Sequence, residues 1–507
     1  MKEKQPGSFN SLEKSSKIYC MQQNKRIHYA TLAVMVLSVV LSFIHFLCNR
    51  SLWLDEAMVS LNIINRSYTG LLNPLDYMQV APIGFLEMEK MFSVLIPNSE
   101  YGLRIFPLLC FWASVYLFYK VTLILSKDAK IVLLSVSVFC LNTSLLYYSS
   151  EVKQYMTDVF VCLLMYYLLL KEYKNNTNRT MLLTLFGIVS ICLSNISPII
   201  LCTIGLFLLI SQVKNKQTNY LYLLMLFFIW TLGFGLYYYR FIYQHPNRAG
   251  MLAYWGNSFM PINIFKIDFW DFCFYKTKML FGSLLSFGVT GLIPFVFFLI
   301  GLYKLHKDKC NKILFLLLLP SLLQLVLSGF KLYPFDLRLV LYQAGFFILI
   351  LSVGVMHVTD LGIQKTKKQL IAWVPVIFPV ILCIGLLKNY PFKVEEIKRS
   401  LGFIENNIQP NETIYVYYGS IPAFKYYIQT GKIDVKNQVI YGNGYRGNER
   451  KYIDEIKSNK LPYWILFSHI HDKENSSIIQ SLDSVYEKKQ AYKTIDSEVY
   501  LYDLKKN

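Results

Sequence analysis

YATLAVMVLSVVLSFIHFLC, residues 29–48, runs directly into NRSLWLDEA, residues 49–57. About 20 apolar residues suffice to cross a bilayer as one helix. The chain then leaves that segment and presents two adjacent carboxylates, Asp55 and Glu56. Charges beside lipid are costly, so the pair invites a catalytic reading. The fold question becomes how many such apolar runs follow, and on which side this pair lies.

Of 507 residues, 54% are hydrophobic and 16% charged, against roughly a quarter charged in soluble proteins. The expected spans are, approximately, 29–48, 103–125, 131–147, 155–171, 180–195, 198–213, 220–241, 281–304, 312–330, 338–358 and 370–388, about eleven by length and polarity. The leader, 1–28, carries Lys2, Lys4, Lys14, Lys17, Lys25 and Arg26 and is expected in the cytoplasm. Alternation then places Lys127/Lys130, Lys171/Lys174/Arg179, Lys214/Lys216, Lys304/Lys307/Lys309/Lys312 and Lys365/Lys367/Lys368 inside as well. Basic inner loops are what topology requires. Residues 389–507 come out on the opposite face, as do loops 49–102, 147–158 and 242–280. The expectation is a multi-pass protein of the plasma (inner) membrane, its C-terminal part extracytoplasmic, periplasmic in a Gram-negative cell.

The net charge of +19 does not signal nucleic acid. Residues 389–507 hold 17 Lys/Arg against 15 Asp/Glu, so the excess sits in the membrane part, and no base-reading motif accompanies it. The ten cysteines lack CxxC spacing and mostly fall in apolar runs, so they read as small buried hydrophobes. His245 has no second histidine at metal spacing, and no metal site or cofactor is expected. The first run follows a long polar leader without a small-residue cleavage site, so it is expected to stay as a helix.

The tail changes character. Helical patterns at 394–406, 421–429 and 450–457 alternate with strand patterns at 413–418, 439–441 and 463–467, and two more strands end at Asp503. This reads as a small α/β domain. It has neither GxGxxG nor a P-loop, so no nucleotide is assigned.

Chemistry concentrates on the outer face. Asp55 suits a general base that takes a proton from an acceptor hydroxyl as its oxygen attacks a sugar carbon. The bland alternative makes it the N-cap of a helix from Glu56 to Asn65. Glu56 either orients Asp55 or touches substrate hydroxyls. Glu87, Glu89 and Lys90 read as a solvated face, and Arg104 as half of a structural ion pair. Glu151, Tyr155 and Asp158 recur at helical spacing and are expected to line one face, with Lys153 a candidate for phosphate. Asp158 lies inside an apolar run, which weighs for function. Arg248 and Trp255, in the third loop, are candidates for a lipid phosphate or a sugar face. Arg338, opening the tenth span, suits a phosphate, or it snorkels beside Asp336.

In order along the chain stand WLDEA (53–57), APIGF (81–85), SEYGLRIFP (99–107), YYSSEVKQY (147–155) and YPFDLRLVLY (333–342). Together they resemble the GT-C type membrane glycosyltransferases that use polyprenyl-phosphate sugars, a superfamily including protein O-mannosyltransferases, the aminoarabinose transferase of lipid A and lipopolysaccharide galacturonosyltransferases. The resemblance covers roughly 50–345. It implies a polytopic α-helical GT-C-like fold with a small extracytoplasmic α/β domain, boundaries at 1–28, 29–388 and 389–507, and Asp55 as the catalytic carboxylate. It also implies Glu151–Asp158 as the polar cluster, with Lys153 where relatives often carry Arg, and Arg338 as a lipid-phosphate contact. The partners it implies are a polyprenyl-phosphate-linked sugar donor, an extracytoplasmic glycan, lipid or protein acceptor and the bilayer, with no nucleic acid. Relatives acting on lipid A often have Glu-Lys-Pro where this chain has Val80-Ala81-Pro82. The competing readings are a transporter or lipid-linked sugar flippase, and a non-catalytic assembly factor.

Overall fold

Long apolar runs become long helices because lipid leaves backbone groups no partner except each other. The structure, a computed structural model, describes residues 9–97, 99–175, 180–215, 220–366, 369–458, 462–471 and 473–504. Lys2, Lys4, Arg179, Lys216, Lys367 and Lys368 of the expected cytoplasmic segments lie outside them. Seven helices among the described residues are long and apolar enough to cross a membrane: Lys25–Leu47, Glu100–Leu125, Leu221–Tyr243, Gly288–Lys307, Asn311–Gly329, Arg338–Thr366 and Leu370–Asn389. Three further apolar helices, Ala129–Cys140, Met181–Leu193 and Ser197–Val213, are shorter. The run expected at 131–147 breaks after Cys140 and resumes as the short helix Thr143–Tyr148, capped by Asn142.

The chain divides into two compact units. The first comprises Met1–Phe43, Pro107–Ser149 and Gln154–Lys388. Its central helix, Ala344–Thr366, is buried along most of its length. Glycines let a neighbouring helix approach it: a Cβ on Gly301 would stand 1.9 Å from the Ile350 carbonyl oxygen, and one on Gly354 1.9 Å from that of Phe297. Small residues at crossings are how helices pack closely in lipid, where apolar burial supplies little driving force.

The second unit comprises Ile44–Phe106, Ser150–Lys153 and Asn389–Asn507. The tail's alternation yields a five-stranded sheet: β1 (Thr413–Val416), β2 (Val439–Tyr441), β3 (Tyr463–Ser468), β4 (Glu487–Thr494) and β5 (Ser497–Asp503), in the order β2-β1-β3-β5-β4. β1 is parallel to β2 and β3, joined through helices, whereas β5 runs antiparallel to β3 and forms a hairpin with β4. Buried tyrosines crowd the core, and several of their hydroxyls find carboxylates: Tyr417 donates to Glu474 at 2.7 Å and Tyr415 to Glu455 at 2.6 Å. That pairing lets an amphipathic ring be buried without an orphaned hydroxyl.

Candidate functional site

Asp55 and Glu56 occupy the first turn of the helix Leu54–Asn65. Trp53 is the N-cap, so Asp55 is a helical residue and not the cap that the alternative reading proposed. Consecutive helical residues point about 100° apart, and here the two carboxylates enter different environments.

Glu56 is fully buried. Its carboxylate accepts from Arg50 Nη1 at 2.7 Å, Arg104 Nη2 at 3.0 Å, the Val152 amide at 3.0 Å and the Trp53 amide at 3.4 Å. Burial alone would raise its pKa, but Arg104 and Arg50, helped by the Val152 amide, hold it below the ordinary glutamate value. Two arginines around one carboxylate leave no room for a proton to be useful, so Glu56 is an anchor. The Arg104 ion pair expected from sequence is present, and its partner is Glu56.

Asp55 is 19% exposed, and its Oδ2 lies 3.9 Å from Lys153 Nζ. Lys153, nearly buried, also donates to Gln79 Oε1 at 2.6 Å. The Trp53 indole N–H donates to Glu151 at 3.2 Å. Glu151 precedes the helix Tyr155–Asn175, so the expected single face of Glu151, Tyr155 and Asp158 does not form. Tail segments in the same unit hold the turn that delivers the pair: the Leu52 amide donates to the Tyr427 hydroxyl at 2.8 Å, and the Lys398 amide to Ser51 Oγ at 3.1 Å. Arg50, Gln79 and Tyr427 were missed from sequence. Only Arg50, beside the motif, carried a signal there.

The solvated face expected around Glu89 is corrected. Glu89 is fully buried, and neither of its carboxyl oxygens has a hydrogen-bond partner among the described residues. Burial, and then the Glu56 charge, push it well above the usual carboxylate range. Lys90 donates to the Ile63 carbonyl at 2.8 Å.

Elsewhere in this unit, Glu395 accepts from His469 Nδ1 at 2.9 Å and from Ser468 Oγ at 3.1 Å. The His469 ring centroid lies 6.2 Å from that of Trp53.

The first unit carries the other candidates. Arg338 donates to the Tyr254 hydroxyl at 3.1 Å, and its guanidinium lies 5.0 Å from the Trp255 ring centroid and 5.8 Å from that of Tyr155. A cation above aromatic faces is held without losing its charge. Asp336, the snorkelling partner suggested for Arg338, instead pairs with Lys276 at 3.0 Å and accepts from Ser258 Oγ at 2.7 Å. Both line a cavity of about 630 Å³ with Asn257, Asp268, Asp271 and Tyr275. Arg248 lies over the Tyr243 ring at 5.7 Å. Asp158 accepts a hydrogen bond from Ser194, so it has the buried partner a carboxyl group needs.

No family profile matches the sequence. A search of curated proteins also finds no match. Solved structures do match. ArnT from Cupriavidus metallidurans in the apo state is 10% identical, with a TM-score of 0.53 over 92% of this chain and 97% of that one. The same protein bound to undecaprenyl phosphate gives 10% identity and a TM-score of 0.52, over 93% and 97%. The oligosaccharyltransferase of Archaeoglobus fulgidus in complex with Zn and sulfate gives 12% and 0.51, over 85% and 67%. Together with the spans and the small C-terminal sheet, these likenesses establish that the chain has the fold of the GT-C type membrane glycosyltransferases.

Proposed function

We propose that this chain is a membrane glycosyltransferase that moves a sugar from a polyprenyl-phosphate-linked donor to an extracytoplasmic acceptor, a glycan, lipid or protein, with Asp55 as general base. The observation that carries the reading is the contrast between the two neighbouring carboxylates: Glu56 is fully buried between two arginines, while Asp55 stays partly exposed, 3.9 Å from Lys153. A rigid anchor next to an accessible carboxylate is how a reacting group is positioned.

In the proposed step the acceptor hydroxyl gives its proton to Asp55 while its oxygen bonds to the anomeric carbon. The bond from that carbon to the phosphate oxygen breaks, and its electron pair leaves with the polyprenyl phosphate. One displacement inverts the anomeric centre. Lys153 offsets the charge growing on the leaving phosphate. As the phosphate draws the ammonium, Asp55 is left to accept from the acceptor. Arg338, braced on Trp255 and Tyr155, is the proposed cation for a lipid phosphate. The active face is the extracytoplasmic side of the plasma membrane.

The test supplies radiolabelled polyprenyl-phosphate sugar to purified protein in lipid nanodiscs with an envelope extract as acceptor. Label moving from lipid to acceptor in wild type, and not in Asp55→Asn, supports the reading. A donor that crosses the bilayer with its sugar still attached indicates a transporter or flippase instead.

A further inference from the structure

Three segments of the second unit that are distant in sequence bring together a carboxylate, an imidazole and a second carboxylate. Glu395 lies just before the helix Ile397–Asn407, His469 just after β3, and Asp496 in the turn between β4 and β5. One ligand-grade atom from each lies within 4.8 Å of the other two. We propose that Glu395, His469 and Asp496 form a binding site for a divalent cation of the zinc or manganese class.

The donor set fits that class: one borderline imidazole nitrogen with two hard carboxylate oxygens suits Zn²⁺ or Mn²⁺, and thiolate is absent from the cluster. Ligands bound at about 2.0–2.2 Å from an ion stand roughly 3–4 Å apart, so small side-chain rotations close the site. Charge points the same way. Two carboxylates repel at this separation, and a single imidazole is a weak counterweight that a dication outmatches. Glu395 is buried and fixed by Ser468, which gives the site one rigid ligand, while Asp496 is exposed and open to an ion from solvent. A bound ion would tie the entry of the tail to the end of β3 and to the β4–β5 hairpin. The site lies close to the turn that carries Asp55, the His469 ring 6.2 Å from that of Trp53, but the proposal does not rest on the sugar-transfer reading.

The test uses the full-length protein in nanodiscs, stripped with chelator, its cysteines alkylated, and titrated with Zn²⁺ or Mn²⁺ alone. Calorimetry and elemental analysis after gel filtration report affinity and stoichiometry, and thermal unfolding reports the clamp. The variants are Asp496→Asn and His469→Asn, because asparagine tolerates the left-handed φ of both positions. One equivalent of metal and a rise in Tm are expected in wild type, with affinity lower by roughly tenfold or more and the Tm rise lost in either variant. An absence of binding by wild type, or binding with a Tm rise that both variants retain, would overturn the proposal.

Discussion

Asp55 and Glu56 share a peptide bond but not an environment: the fully buried Glu56 carboxylate lies 2.7 Å from Arg50 and 3.0 Å from Arg104, and that of Asp55 lies 3.9 Å from Lys153 at the edge of solvent. The same change at each position therefore has opposite signatures. Asp55→Asn is expected to abolish transfer and to shift stability by about 1 kcal/mol or less, since a long, partly exposed ion pair contributes little. Glu56→Gln leaves two buried guanidiniums without a counter-charge and should cost about 3–5 kcal/mol. Activity assays paired with thermal unfolding distinguish them. An active Asp55→Asn would remove that residue from the chemistry.

Lys153→Gln tests the leaving-group cation. Removing one preorganised charge from a developing phosphate should lower kcat/KM by about 100-fold, with the folded state retained because Gln79 can still be bonded. Steady-state kinetics with varied donor read the loss. A loss smaller than about threefold would make Lys153 a packing residue.

Glu89 gives stability a pH dependence. Its carboxyl is raised in the folded protein, so between the ordinary glutamate value and the raised one the folded state holds more protons than the unfolded. Its contribution is present at low pH and fades as pH rises through that window. Glu56 is depressed, so its contribution is complete above the ordinary range and is lost only on acidification. Glu89→Gln should therefore gain stability relative to wild type as pH rises above the ordinary glutamate range. Parallel Tm profiles for the two proteins would contradict a protonated Glu89.

Arg338→Lys keeps the charge but loses the planar cation over Trp255 and Tyr155. Affinity for polyprenyl phosphate, measured by competition, should fall by about tenfold, the scale of a partly desolvated cation–π contact. Arg338→Ala should weaken it further.

The Gly301–Ile350 approach makes a sharper structural prediction. Gly301→Ala would place a methyl 1.9 Å from a backbone oxygen, which cannot move aside as a side-chain tip does. Reduced yield of folded protein from membranes, by fluorescence-detected gel filtration, is expected. An Ala variant with wild-type yield and Tm would show that the helices separate without cost.

The long apolar helices and the tail's strand and helix order were legible because both rest on local periodicity and composition, as the positions of β1, β2 and β3 illustrate; the count was not, since about eleven spans were expected and seven helices among the described residues are long and apolar enough to cross. The role of Asp55 against that of Glu56 was not legible, since it depends on Arg50, Arg104 and Val152 converging from separate segments. Glu89 misled for the same reason: a charged residue in a polar-looking loop reads as exposed until packing covers it. The cluster of Glu395, His469 and Asp496 spans about a hundred residues and leaves no spacing motif.

The hydrogen bond from the Leu52 amide to the Tyr427 hydroxyl means that the tail is no detachable accessory. Grafting a foreign module in its place would strand a main-chain donor just ahead of the WLDEA turn. Only replacements offering an oxygen at that spot could preserve the alignment of the motif, which constrains how such proteins can diversify by exchanging their C-terminal parts.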